Sequence, residues 1–267
     1  MTPQPYLEIT TQIGCSVNCI RYCPQELIVK KLGGMKPLTL AAFKELISTV
    51  PTDIIIDFSG LSEVFQNPEC PDMILYAHEK GHKITISSTL VGLSLENAVK
   101  ICEIPIEQFV LHLPDAKGNA NIPITQNYKE VLPYILTHVE NILVMNMGGF
   151  FETCHIEDFA RGKITKFKKG RVMCPHLEVP GYQLMPNGDV IFCCGLRGLR
   201  GKIGSLYDNT YSELAAKHEK LSLTFQKQPE SFCHKCPYSY NYHLHKIVGW
   251  KERFFKGKSL VDFIGNI

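Results

Sequence analysis

This 267-residue sequence has no secretion signal, no membrane-length apolar run and no excess of either charge. Lys and Arg number 28 against 26 Asp and Glu, for a formal net charge of +2. Nothing in that balance asks for nucleic acid or a charged lipid surface as a partner. The opening residues, MTPQPYLEITTQ, place no basic segment before an apolar core, which argues against a signal peptide. No stretch approaches the ~20 apolar residues of a membrane span. Internal repeats and low-complexity segments are missing too. What remains is an ordinary globular composition, 45% hydrophobic and 20% charged. The expectation is a cytoplasmic protein with one large domain, or one domain and a small appendage.

Cysteine is not scarce. Eleven cysteines are many for a chain without a secretion signal, and reducing compartments do not keep disulfides. Clustered cysteines in that setting read as metal or catalytic sites. Cys15, Cys19 and Cys23 form one group, and Cys174, Cys193, Cys233 and Cys236 form another. Cys70 and Cys102 stand at the ends of helix-like segments and read as small buried hydrophobes. Cys154 and Cys194 are left over.

Short apolar runs alternate with helical spacing from residue 7 to 146. Strands are expected at Tyr6–Thr11, Asp53–Ser59, Lys83–Ser88, Glu107–Leu113 and Asn141–Asn146. Helices are expected at Leu38–Val50, Pro71–Lys80, Ser94–Cys102 and Tyr128–His138. Such alternation predicts βαβ units and a parallel sheet. Five strands and a sixth are too few for a closed eight-stranded barrel and suit an open, partial α/β barrel, with functional loops after the strands' C-terminal ends. The pattern changes near residue 150. Arg161, Lys163, Lys166, Lys168, Lys169 and Arg171 make a basic run, read either as a solvated linker or as a docking patch for an acidic partner. Tyr182–Cys193 carries a hairpin signal around Pro186-Asn187-Gly188-Asp189. A helix is expected at Thr210–Leu221, and Tyr240–Phe263 reads as one or two closing helices.

The run Gly14-Cys15-Ser16-Val17-Asn18-Cys19-Ile20-Arg21-Tyr22-Cys23-Pro24 follows the first strand directly. Gly14, Asn18 and Pro24 argue for a loop rather than a helix. What this loop lacks is a fourth cysteine. A cubane cluster is commonly held by four thiolates, so three leave one iron open to another molecule. A three-cysteine loop in this position, with an aromatic before the last cysteine, resembles the radical S-adenosylmethionine (SAM) superfamily. The spacing here is C-x3-C-x3-C where that family usually has C-x3-C-x2-C. Asp57-Phe58-Ser59-Gly60-Leu61-Ser62-Glu63, one βα unit later, resembles the family's glycine-rich segment ending in Glu, with Ser62 in place of a usual glycine. The resemblance implies a [4Fe-4S] cluster on Cys15, Cys19 and Cys23, with Tyr22 near the adenine. Gly60 and Glu63 would lie at SAM, Glu63 at its amino group, and Ser87 and Ser88 beside it. In that family the reduced cluster cleaves SAM to methionine and a 5′-deoxyadenosyl radical, and the protein positions both cofactors.

The second group reads either as a four-cysteine zinc site or as iron–sulfur. Cys174-x13-Gly188-x4-Cys193, then Lys202-Ile203-Gly204-Ser205-Leu206 before a helix, then Cys233-x2-Cys236-Pro237, resemble the SPASM/twitch auxiliary-cluster domain of the same enzymes. No cysteine follows Cys236, so the match is to the shorter twitch type with one auxiliary cluster. Cys194 is the alternative to Cys193 as ligand. The resemblance as a whole implies a partial (β/α)6 radical SAM barrel over residues 1–160. A linker, the twitch-type domain and closing helices would fill 161–267.

In length and in its single auxiliary site, the layout resembles that of 2-deoxy-scyllo-inosamine dehydrogenase. That implies hydrogen abstraction from a small polar substrate, oxidation of a carbinol to a ketone, and the auxiliary cluster as electron acceptor. Peptide or protein modification, by epimerisation or crosslinking, is the alternative, and a non-catalytic metal-binding protein the third. The chemistry implies an electron donor of flavodoxin or ferredoxin type, with the basic 161–171 run as its docking patch. His112, Asp115, Asn146 and Glu152 are placed at strand ends facing the cavity, without an assigned role.

Overall fold

Every second residue is buried along the apolar runs at 6–9, 55–58, 84–88 and 108–111, and this period of two is what makes them strands. Leu7, Ile9, Ile56, Phe58, Ile84, Ile86, Phe109 and Leu111 are all within 1% of complete burial. The residues between them are polar or partly exposed. The structure is a computed structural model that describes residues 4–19, 23, 25–114, 118, 120–146, 172–173, 181–196, 198–227 and 240–241.

In chain order the elements are β1 (Tyr6–Ile9), α1 (Gln25–Leu32), α2 (Leu40–Leu46), β2 (Ile55–Phe58), α3 (Cys70–Glu79), β3 (Ile84–Ser88), α4 (Leu95–Cys102), β4 (Gln108–Leu113), α5 (Gln126–His138) and β5 (Ile142–Asn146). There follow β6 (Val172–Met173), β7 (Gly181–Leu184), β8 (Asp189–Ile191), β9 (Lys202–Ser205), α6 (Tyr211–Lys227) and β10 (Tyr240–Asn241). Eight strands form one open sheet in the order β5-β4-β3-β2-β1-β7-β8-β9, and β6 pairs with β10 separately. Strands β1 to β5 run parallel, and β7 lies parallel on the free side of β1. Strands β8 and β9 then extend the sheet antiparallel. The expected hairpin at 182–193 is therefore hydrogen-bonded into the same sheet as the five parallel strands.

Strand order 1-2-3-4-5 has a direct consequence. Crossovers between parallel strands are right-handed as a rule, and this order then puts successive helices on one face of the sheet. Helix α3 packs between α2 and α4, and α4 against α5. The other face carries Glu8, Asp57, Thr85 and Ser87, and the sheet stays open rather than closing into a barrel.

Local signals account for most helix starts. Thr39, Ser94 and Thr125 each cap a helix by accepting a backbone N–H, from Ala42, Asn97 and Tyr128. Pro71 sits in the first turn of α3, where its missing N–H is harmless. Cys70 and Cys102 begin and end helices, and Cys70 is fully buried. Helix α1 was not expected from the sequence. Only Gln25 and Ile28 of its eight residues are buried, too few to show a helical period.

Asn67 joins three of these elements. Its Nδ2 donates to the carbonyls of Thr11 (3.0 Å) and Leu38 (2.8 Å), and its Oδ1 accepts the Glu69 N–H (3.0 Å). It is 1% exposed, so removing it leaves the Leu38 carbonyl and the Glu69 N–H without this partner and takes one of two bonds from the Thr11 carbonyl, which still accepts from the Leu38 N–H. Asn67→Ala is expected to lower stability by about 2–4 kcal/mol, measured by denaturant unfolding. Ser48→Ala, at an exposed hydroxyl bonded to the Glu45 carbonyl, should stay within about 0.5 kcal/mol.

Candidate cofactor site at the ends of the first three strands

The described part of the cysteine run, residues 14–19, leaves the end of β1 as a loop. Gly14 (φ +97°) and Asn18 (φ +44°) both take left-handed backbone. The loop is sewn to two other segments. The Ser16 N–H donates to Gln66 Oε1 (3.1 Å), and Gln66 Nε2 donates to Ser16 Oγ. The Asn121 N–H donates to the Val17 carbonyl (2.6 Å), and Asn121 Nδ2 to that of Ser16 (3.1 Å). Cys19 is buried, and Cys15 and Cys23 are half-buried.

The glycine-rich segment after β2 meets this loop. The Glu63 N–H points at Cys15 Sγ (3.3 Å). Gln25 Nε2 donates to both Cys23 Sγ (3.1 Å) and the Leu61 carbonyl (2.6 Å). Burial raises the Cys15 pKa, while backbone N–H groups of Glu63, Val17 and Asn18 favour its thiolate. N–H donors on sulfur are the outer contacts that thiolate ligands of iron use. Gly60 has φ +83°, and a Cβ there would fall 2.4 Å from Thr10 Oγ1. Only glycine lets β1 and β2 approach this closely.

Glu63 is 5% exposed and closes the site from the third strand. Its Oε1 accepts from Ser88 Oγ (2.6 Å) and more weakly from the Phe65 N–H (3.4 Å). Its Oε2 accepts from both the N–H (2.7 Å) and the hydroxyl (2.6 Å) of Thr89. Burial raises its pKa, and those donors pull the other way. Ser88 and Glu63 are thus in direct contact. Ser87 points to the other face of the sheet, into a cavity it shares with Asp57 and Thr85.

No three His, Cys, Asp or Glu side chains among the described residues converge on a point as a single metal ion requires. A cubane does not ask for this, since each thiolate holds a different iron. The surroundings suit a polar guest. The Ser62 hydroxyl and Gln25 Oε1 are buried next to Cys15 and Cys23 and have no partner among the described residues.

Of the second cysteine group, Cys193 is buried and Cys194 half-buried at the end of the hairpin. Cys174, Cys233 and Cys236 lie outside the described residues, as do Tyr22, Asp115, Cys154, Glu152 and the basic 161–171 run. The side chain of Asn146 is likewise outside them. His112 is on β4, and burial lowers its pKa to about 4. Asp57, Glu8 and Gln183 were not singled out from the sequence, although polar residues at every second position of β1, β2 and β3 are a signal for a second lined face.

Comparison of the sequence with family models and with curated proteins finds no match. Comparison of the fold does. BtrN in complex with AdoMet and 2-DOIA is similar with a TM-score of 0.66 and 13% identity, over 90% of this chain and 94% of that one. Streptococcus suis SuiB bound to precursor peptide SuiA gives 0.52 and 12%, over 87% of this chain and 70% of that one. Native anSMEcpe with bound AdoMet and Kp18Cys peptide gives 0.51 and 12%, over 87% and 86%. These structure neighbours are radical SAM enzymes. The chain has their fold, an open α/β partial barrel.

Proposed function

We propose that this protein is a radical SAM enzyme acting on a small polar substrate, with a [4Fe-4S] cluster on Cys15, Cys19 and Cys23. The observation that carries this reading is the junction of three loops. The cysteine loop after β1, the Gly60–Glu63 segment after β2 and Ser88-Thr89 after β3 are hydrogen-bonded into one unit. When bound, a reduced cluster with one open iron supplies the electron that cleaves SAM to methionine and a 5′-deoxyadenosyl radical. The chain's residues hold that chemistry in place. Gln25 and the Glu63 N–H stabilise the sulfurs of Cys23 and Cys15. Gly60 opens room beside Thr10, while Glu63 and Ser88 fix the rim against which SAM would lie. Tyr22 is proposed to lie near the adenine, whereas Ser87 faces the cavity beside Asp57 on the other side of the sheet. Since the Glu63 carboxylate already accepts from both hydroxyls and an N–H at the end of β3, it would meet the SAM amino group as a held charge, not a swinging side chain.

Cys174, Cys193, Cys233 and Cys236 are proposed to hold a second [4Fe-4S] cluster in the 161–267 segment, which would accept the substrate electron in oxidation of a carbinol. The two-way coverage with BtrN supports a small-molecule substrate. The likeness to SuiB and anSMEcpe, whose structures hold peptides, supports peptide modification as the second reading. An electron donor of flavodoxin or ferredoxin type and a cytoplasmic setting complete the proposal. No described helix is long and apolar enough to cross a membrane.

Anaerobic reconstitution is expected to give about eight irons per chain and 5′-deoxyadenosine under dithionite. About four irons with one zinc would replace the second cluster by a zinc site, and absence of deoxyadenosine would sink the enzyme reading. Glu63→Gln turns an acceptor oxygen into an N–H2 facing donors, so it should lower stability by about 2–4 kcal/mol and SAM affinity by about tenfold or more. Thermal melts and equilibrium SAM binding check both; unchanged SAM affinity would remove Glu63 from the cofactor site.

A further inference from the structure

Among the described residues, two that are not glycine take left-handed backbone, Asn18 and Leu90. Asparagine visits that region readily, because its short amide bonds locally. Leucine does not, since its Cβ crowds the following carbonyl. Leu90 has φ +64° and lies two residues past the end of β3. Strain of this kind persists only where the surrounding structure holds it. Here it stands directly after Ser88 and Thr89, the residues that donate to Glu63.

The chain is fixed on the far side of Leu90. Its side chain is 1% exposed and belongs to the core. Its carbonyl accepts the Leu93 N–H (3.2 Å), closing a turn whose third residue is Gly92 at φ +97°. A Cβ on Gly92 would fall 2.3 Å from the Phe65 carbonyl oxygen, so this turn presses on the loop that carries Glu63. The Leu93 carbonyl accepts in turn from Asn127 Nδ2 (2.8 Å). On the near side, the Leu90 N–H donates to Ser88 Oγ (2.8 Å), and that hydroxyl donates to Glu63 Oε1 (2.6 Å). Rotation about the N–Cα bond of Leu90 swings the peptide that joins it to Thr89. It would carry away the Leu90 N–H and, with it, the Thr89 N–H and hydroxyl that meet Glu63 Oε2.

We infer that Leu90 is a positioning residue for the cofactor site, its left-handed backbone aiming the Ser88 hydroxyl and both Thr89 donors at the Glu63 carboxylate. It acts through Glu63. Glycine would reach the same φ without strain but would share it with other conformations. A buried leucyl side chain removes that freedom, because any other φ must either pull it from the core or break the turn to Leu93. The inference rests on the radical SAM reading, in which Glu63 borders SAM.

The test compares variants at residue 90 of the full, anaerobically reconstituted chain by thermal melting and by equilibrium SAM binding without reductant. Leu90→Gly should melt about 2–4 °C above Leu90→Ala, the reverse of the usual order of these two residues inside helices and strands. Leu90→Met, unbranched like leucine at Cβ, should bind SAM within about twofold of the unmodified chain. Leu90→Ile keeps the side-chain volume but puts a β-branched residue at positive φ, and it should bind SAM about tenfold more weakly. Leu90→Gly should stay within about threefold in SAM affinity, although it melts below the unmodified chain. Ile135→Ala, a buried change on α5, should lower the melting temperature and leave SAM affinity unchanged, which separates positioning from loss of stability. Leu90→Ala melting above Leu90→Gly, Leu90→Ile binding SAM as tightly as Leu90→Met, or Leu90→Gly weakening SAM as much as Leu90→Ile would overturn the inference. If Leu90→Ile fails to fold, the melting order and the Leu90→Gly affinity still decide it. Absence of SAM binding by the unmodified chain would instead overturn the radical SAM reading, while the melting order would still report on Leu90.

Discussion

The structure depends on one buried carboxylate. Glu63 leaves the second strand's loop and receives the Ser88 hydroxyl and both donors of Thr89 at the end of the third. Its own backbone N–H reaches back to the Cys15 sulfur in the first strand's loop. A carboxylate in a low-dielectric setting is tolerated only when its lone pairs are met. The three loops therefore cannot move independently without stranding it. The three strand ends are thereby held as one rigid rim.

Sequential strand order supplies the second constraint. Right-handed crossovers put α2 to α5 on one side, and burying that side consumes the apolar residues at alternate positions. The polar residues between them are pushed to the opposite face, where Glu8, Asp57, Thr85 and Ser87 gather. Addition of β7 to the free edge of β1 then brings Gln183 against Glu8. The same period of two that builds the core thus builds the lined interior.

Much of this was legible beforehand. The five parallel strands, four of the helices and the hairpin lie within a few residues of where apolar periodicity and turn formers place them, because those signals are local. The three-cysteine loop was legible from Gly14 and Asn18, whose left-handed backbone breaks any helix there. Helix α1 was not, because it rests on Ile28 and on Gln25, a polar residue held by Cys23 and Leu61. Ser87 and Ser88 are adjacent in sequence, yet the pleat sends them to opposite faces. Ser88 meets Glu63, and Ser87 meets the cavity beside Asp57.

The sequence by itself determined the alternating α/β order, the cysteine loop and the glycine where two strands approach, since each is written in neighbouring residues. Only the tertiary structure decided which distant groups share a site. Glu63 bonds to Ser88 and Thr89 across more than twenty positions, and Gln183 meets Glu8 across 175. The physical reason is that hydrogen-bond geometry between strands is set by register and sheet order. Those emerge from the burial of the whole apolar face, not from any local run of residues.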